Sequence, residues 1–236
     1  MPSAEEIYRF RHALMRQAAY DMQLPAERAR LHALVLELTE KQLGQADAAL
    51  EPLAAELADH ARSARGIKRT GLVDDAYVST RELRFLALAQ RKALRDHNLP
   101  EAIQLARRQA SMPEAEADYR CDANLRLATA LRMATDFAAA LVAAQKALQL
   151  APDAAAQGAA QLELSANFLR QGNHDAAELA AEQAMEIARA LHDTRLEAGA
   201  LATLGNLRRM GGRTAEAQLI LQRAISGRRG SQSTGY

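Results

Sequence analysis

The sequence predicts an all-α protein built from consecutive helical hairpins. Three observations predict this. Ala and Leu, both strong helix formers, supply 54 and 34 of the 236 residues, while Val and Ile together supply 10, too few for a sizeable β-sheet. Small and apolar residues recur at helical spacing. One segment pattern occurs four times at near-constant intervals, and a fixed period marks a stacked array.

Composition also limits the chemistry. Aromatic residues are 4% of the chain and Trp is absent, which argues against a base-stacking platform or an aromatic cage. The single cysteine, Cys121, excludes an intrachain disulfide framework and a multi-cysteine zinc site, and a reducing, cytoplasmic setting fits it best. The first 20 residues are charged throughout and contain no secretory signal pattern. The longest apolar run, 137–144, is far short of the roughly 20 residues that cross a bilayer.

In chain order, Ser3-Ala4-Glu5-Glu6 has the spacing of a capping box. Pro25 opens a helix running to about Leu43, and Gly44 ends it. A further helix over about 47–64 closes at Gly66. Residues 1–66 therefore form an N-terminal helical region, and 67–79 lack helical periodicity and read as a linker. Ser79-Thr80-Arg81-Glu82 is a second capping box and marks the first helix of an array spanning 80–227. The Gly/Ser-rich basic tail 228–236 has the composition of a disordered segment.

The array is read from segments 98–110, 136–148, 173–185 and 213–225. Aligned on Ala102, Ala140, Ala177 and Ala217, they lie 38, 37 and 40 residues apart. Four residues on come Ala106, Ala144, Ala181 and Leu221; seven on come Gln109, Ala147, Ala184 and Ala224. These offsets share one helical face, which Gln109 alone interrupts with a polar group. Each segment follows another helical stretch, at 81–94, 121–133, 161–170 and 197–210, across a short polar break. Pro100 suits a first helical turn, and Pro152 follows the second pair where a helix must stop. A helix pair this short cannot bury its apolar face alone, whereas stacked neighbours bury a continuous core.

The pattern resembles tetratricopeptide repeats, in a variant with extended helices. Ala128, Ala140, Ala147 and Pro152 fill the characteristic places in the second unit, and Leu204, Gly205, Gly212, Ala217 and Ala224 in the fourth. The third has Leu164, Gly172, Ala177 and Ala184, with Arg189 where the family often has proline. The resemblance implies a right-handed α-α superhelix whose concave groove holds a peptide or helix from another protein. Its inward positions fall on Arg91, Arg95, Thr129, Arg132, Leu169, Arg170, Asn206 and Arg209. The Lys and Asn set by which some members hold a carboxylate is not reproduced, which argues against a chaperone-tail partner.

A second resemblance lies at 8–32, YRFRHALMRQAAYDMQLPAERARLH, which is similar to the end of the winged-helix region preceding the repeats of bacterial STAND-type signalling ATPases. It implies kinship with a sensing element, with the chain acting as a regulatory piece in trans. No GxxxxGK[ST] phosphate loop is present. His12 falls where such proteins can contact nucleotide, but without a nucleotide domain it reads as a packed helix-start histidine.

No catalytic constellation is visible. The six histidines include no HxxxH or HExxH pair, so neither a metal nor any other cofactor is implied. His97 and His174 read as exposed turn residues, and Cys121 as structural. Charge alternates in blocks, net +6 over 61–110, −4 over 155–200 and +5 over 201–236, which can steer charged partners without defining a nucleic-acid module. Arg95, Arg132, Arg170 and Arg209 recur near the ends of the first helices. Either they form a guanidinium ladder for carboxylates, or they answer the helix dipole, worth about 0.3–1 kcal/mol each. Self-association is a further expectation, from Leu219, Ile220 and Ile225 at the end of the array.

Overall fold

The computed structural model describes residues 13–65, 75–112 and 115–233. They form α-helices and one 3₁₀ turn, with no strand among the described residues. The chain divides into two compact units, Met1–Leu88 and Ala89–Tyr236. The capping box at 3–6 and His12 lie outside the described residues.

In the first unit, α1 spans Ala13–Asp21 and α2 spans Pro25–Leu43. Pro25 sits in the first turn of α2, and Gly44 ends it with φ 79, as the sequence predicts. The single helix predicted over 47–64 is corrected to three pieces: α3 (Asp47–Leu50), a 3₁₀ turn (Glu51–Leu53) and α4 (Ala54–Ala64). Pro52 is the cause, because it donates no backbone hydrogen bond and its ring clashes with the carbonyl one turn back. α2 packs on α4, burying Leu36, Leu57, Ala58 and Ala61.

α5 runs Asp75–Arg95, so the helix begins four residues before Ser79. The predicted capping box is therefore interior. Ser79 and Glu82 are buried, and the Thr80 hydroxyl donates to the Ala76 carbonyl one turn back. The Glu82 carboxylate, 1% exposed, lies 3.6 Å from Arg65 Nε. Buried Glu40 accepts from Arg81 Nε at 2.8 Å and has Arg84 at 3.7 Å; Arg84 also holds Asp47 at 2.8 Å. A buried carboxylate needs such partners, because desolvation of the charge costs several kcal/mol.

The second unit takes up the end of α5 and adds α6 (Leu99–Ala110), α7 (Ala117–Met133), α8 (Phe137–Leu150), α9 (Ala154–Gln171), α10 (His174–Leu191), α11 (Thr194–Met210) and α12 (Thr214–Ser233). From α6 onward each helix packs on the next, giving sequential antiparallel pairs. The first helices of successive pairs also touch, α7 with α9 and α9 with α11.

The turns within the pairs repeat one conformation. His97, Thr135, Gly172 and Gly212 are left-handed, with φ of 57, 64, 77 and 77, at the same intervals as the anchor alanines. The next residue's N–H then reaches five residues back: Asn98 to Ala93, Asp136 to Leu131, Asn173 to Phe168 and Arg213 to Arg208, at 2.8–3.0 Å. This closes the exposed carbonyl end of the first helix. Four residues beyond each of these, the anchor N–H makes the opening bond of the second helix, as Ala102 does to Asn98.

Ala102, Ala140, Ala177 and Ala217 are all buried, with Ala106, Ala144, Ala181, Ala147, Ala184 and Ala224. Close helix approach explains the small residues. A Cβ added at Gly205 would lie 2.7 Å from Leu221 Cγ. Gln109 is fully buried too, and its amide oxygen accepts from Arg126 at 3.0 Å.

First helices start earlier than predicted, at 117, 154 and 194 rather than 121, 161 and 197. Asp153 and Asp193 are the N-caps of α9 and α11, accepting backbone N–H groups about two turns and one turn before the apolar periodicity begins. At the other end, α12 continues to Ser233, over 228–233 where the composition predicts no structure. Gly227 and Gly230 weaken a helix without ending it as proline would.

Candidate functional site

The first helices of the second unit carry a polar register beneath the alanine pattern. Arg126, Glu163 and Thr203 each lie fourteen residues before an anchor alanine. Each is met by a side chain of the preceding first helix. Arg126 Nε donates to the Gln90 amide oxygen at 2.6 Å. The Thr129 hydroxyl donates to Glu163 at 2.7 Å. Ser165 lies 3.5 Å from the Thr203 hydroxyl. Successive first helices are thus tied at one equivalent level, which fixes their stagger.

Beside this register a cleft of about 880 Å³ opens across α7, α9 and α11. Leu125, Leu162 and Leu196 give it apolar surface, and Asp122, Glu163 and Asp193 give it carboxylates. Each carboxylate is held. Asp122 pairs with Arg126. Glu163 binds Thr129 and Arg132, the latter at 3.3 Å. Asp193 accepts the N–H groups of Arg195 and Leu196 at 2.9 and 3.0 Å. Gly199 lets Leu162 of α9 pack against α11 at the cleft wall, since a Cβ there would stand 2.6 Å from Leu162. Such a surface offers apolar contact and fixed acceptors, which suits recognition of a side chain and a backbone segment.

The sequence-predicted residues are distributed differently. Arg91 and Arg95 are exposed near the end of α5. Thr129 and Arg132 come together on Glu163. Leu169 is half-buried; Arg170 is exposed, with its guanidinium 5.7 Å from the Phe137 ring centre. Asn206 is half-buried and Arg209 exposed. The arginines therefore do not share one environment: Arg132 is spent on a carboxylate and Arg170 on a ring face. Arg208, next to Arg209 in the chain, pairs with Glu178 of α10 and reaches Glu216 of α12 at 4.0 Å. The cleft is lined instead by residues nearer the N-terminal ends of the first helices. The constant offset of Arg126, Glu163 and Thr203 was the signal that could have located it.

His97 is exposed in its turn, whereas His174, read from the sequence as a turn residue, is exposed as the first residue of α10. Cys121 is buried, its thiol donating to the Ala147 carbonyl at 3.3 Å, and burial pushes its pKa up, away from a reactive thiolate.

The first unit holds a second cluster. The Tyr20 hydroxyl is 3.0 Å from His32 Nε2, and His32 Nδ1 is 2.7 Å from His60 Nδ1. Only one of those two Nδ1 atoms carries the shared proton, so the contact excludes a pair of imidazolium ions. Burial, then the charges of His60 and Arg28, hold the His32 pKa below its ordinary value. The chain lines an apolar cavity of about 250 Å³ with Leu31 and Val35 of α2. Residues 20, 32 and 60 are too far apart in sequence to betray this contact. No group of three metal-ligating side chains occurs among the described residues, and no described helix is long and apolar enough to cross a membrane.

Compared with models of known protein families and with curated proteins, the chain matches none.

Proposed function

We propose that the second unit is a non-catalytic protein-binding scaffold of tetratricopeptide-like repeats, coiled as a right-handed superhelix, that holds a peptide or helix of another protein in the cleft on its first helices. One observation carries the reading: the left-handed turn and anchor alanine recur together at 38, 37 and 40 residues, and the polar register at 37 and 40, beside an open cleft on one set of helices. Equivalent positions repeated along a surface suit an extended ligand.

Peptides selected by display against the full chain test the proposal. Leu162→Arg, in the cleft, weakens a selected peptide at least about tenfold, the cost of one lost apolar anchor. Val142→Arg, on the exposed face of second helix α8, leaves it unchanged. Equal binding by both variants overturns the cleft, and selection of no peptide overturns the scaffold.

A further inference from the structure

α2 carries two apolar faces. One packs on α4 through Ala29 and Leu36. The opposite one is exposed: Leu31 46%, Leu34 46%, Val35 38% and Leu38 47%, with Leu24 at 65% just before the helix. Leu24, Leu31 and Leu38 lie seven residues apart, and Leu34 falls between them, so the exposed stripe has the spacing of a helix-pairing seam. Contiguous leucines left in water on one helix face mark an interaction surface.

The charges beside the stripe identify the occupant. At 100° per residue, Arg30, Glu37 and Lys41 fall along one edge of it and Glu27 lies within it, between Leu34 and Leu38, and all four are exposed. Their signs reverse about the middle of the helix near Leu34. Glu27 and Lys41 are equidistant from that point, and so, within half a residue, are Arg30 and Glu37. A helix with this pattern is complementary to itself turned end for end. A two-fold pairing sets Glu27 opposite the other copy's lysine and Arg30 opposite its glutamate, four ion pairs in all. A parallel pairing forms none of them. The cavity flanked by Leu31 and Val35 lies beside the same seam, where the other copy's Leu38 would approach.

We infer that the α2 stripe is a homodimer interface, in which a second copy of this chain pairs antiparallel with Leu34 near the two-fold axis. The surface belongs to the first unit and does not depend on the proposed scaffold. Sedimentation of the full chain from about 1 to about 100 μM tests it. A monomer–dimer equilibrium is expected, and Leu34→Lys abolishes it with helicity by circular dichroism unchanged. Arg30→Glu and Glu37→Arg each weaken the dimer at least about tenfold, because two-fold symmetry counts each reversal twice. The double variant restores it. A monomer throughout overturns the inference; so does a dimer that Leu34→Lys leaves intact, which places self-association elsewhere. A double variant no tighter than the singles overturns the antiparallel arrangement.

Discussion

The two units solve the same problem, burying helices with few aromatic residues, in different ways. The second places alanine wherever helices cross and closes each pair with one turn conformation, so a single local solution is reused. The first buries Glu40 and Glu82 beneath Arg65, Arg81 and Arg84, a set of contacts made once. Repeated burial of small apolar groups spreads stability along the chain, whereas a buried ion cluster concentrates it in a few groups that fail together.

The strongest test of that contrast is in the first unit. Arg81 bonds Glu40 at 2.8 Å and stacks on Tyr77 at 3.3 Å. Arg81→Ala leaves the Glu40 carboxylate buried with only Arg84, at 3.7 Å, to answer it. The expected loss is about 3 kcal/mol, the low end for breaking a buried pair because Arg84 remains. Urea unfolding measures it. A loss no larger than that of an exposed ion pair would place the strength of the first unit elsewhere.

The second unit breaks by volume. Ala177 is fully buried where α10 meets its neighbours, so Ala177→Leu forces helices apart at a cost of about 2 kcal/mol. Ala138, exposed on α8, accepts the same change with little effect. Calorimetry of the two variants separates crossing positions from composition, and equal melting temperatures would reduce the alanine pattern to helix propensity.

The sequence disclosed what repeats and concealed what does not. Ala102, Ala140, Ala177 and Ala217 stood out because close packing admits only small side chains at each crossing, and the 38, 37 and 40 spacing exposed the pairs. Gln109 looked like a defect because its partner, Arg126, lies on the next helix. The arginine row was legible as a pattern but not as a site: Arg132 meets Glu163 and Arg170 meets Phe137 only once tertiary packing brings those groups together. The cleft carboxylates escaped notice because Asp122, Glu163 and Asp193 are unremarkable helix residues in one dimension. The helix break at Pro52 was legible in principle, since proline in mid-helix costs about 3 kcal/mol.

The histidines extend the same contrast with the smallest effect. His97 and His174 of the second unit sit exposed, one in a turn and one at the start of α10, whereas His32 of the first is half-buried between Tyr20 and His60. Its folded pKa lies below the ordinary value of 6.5. The unfolded chain therefore takes up a proton at this position before the folded chain does. Above about pH 6.5 both forms are neutral and stability is level; as pH falls from there toward the folded pKa, stability drops, because protons favour the unfolded state. Unfolding midpoints compared between about pH 7.5 and about pH 5.5, above the range where carboxylates titrate, show that slope in the natural chain. His32→Gln, which keeps a polar group there but cannot titrate, flattens it, while His174→Gln leaves it in place. An identical slope in all three chains would show that the Tyr20–His32–His60 contact does not couple folding to pH.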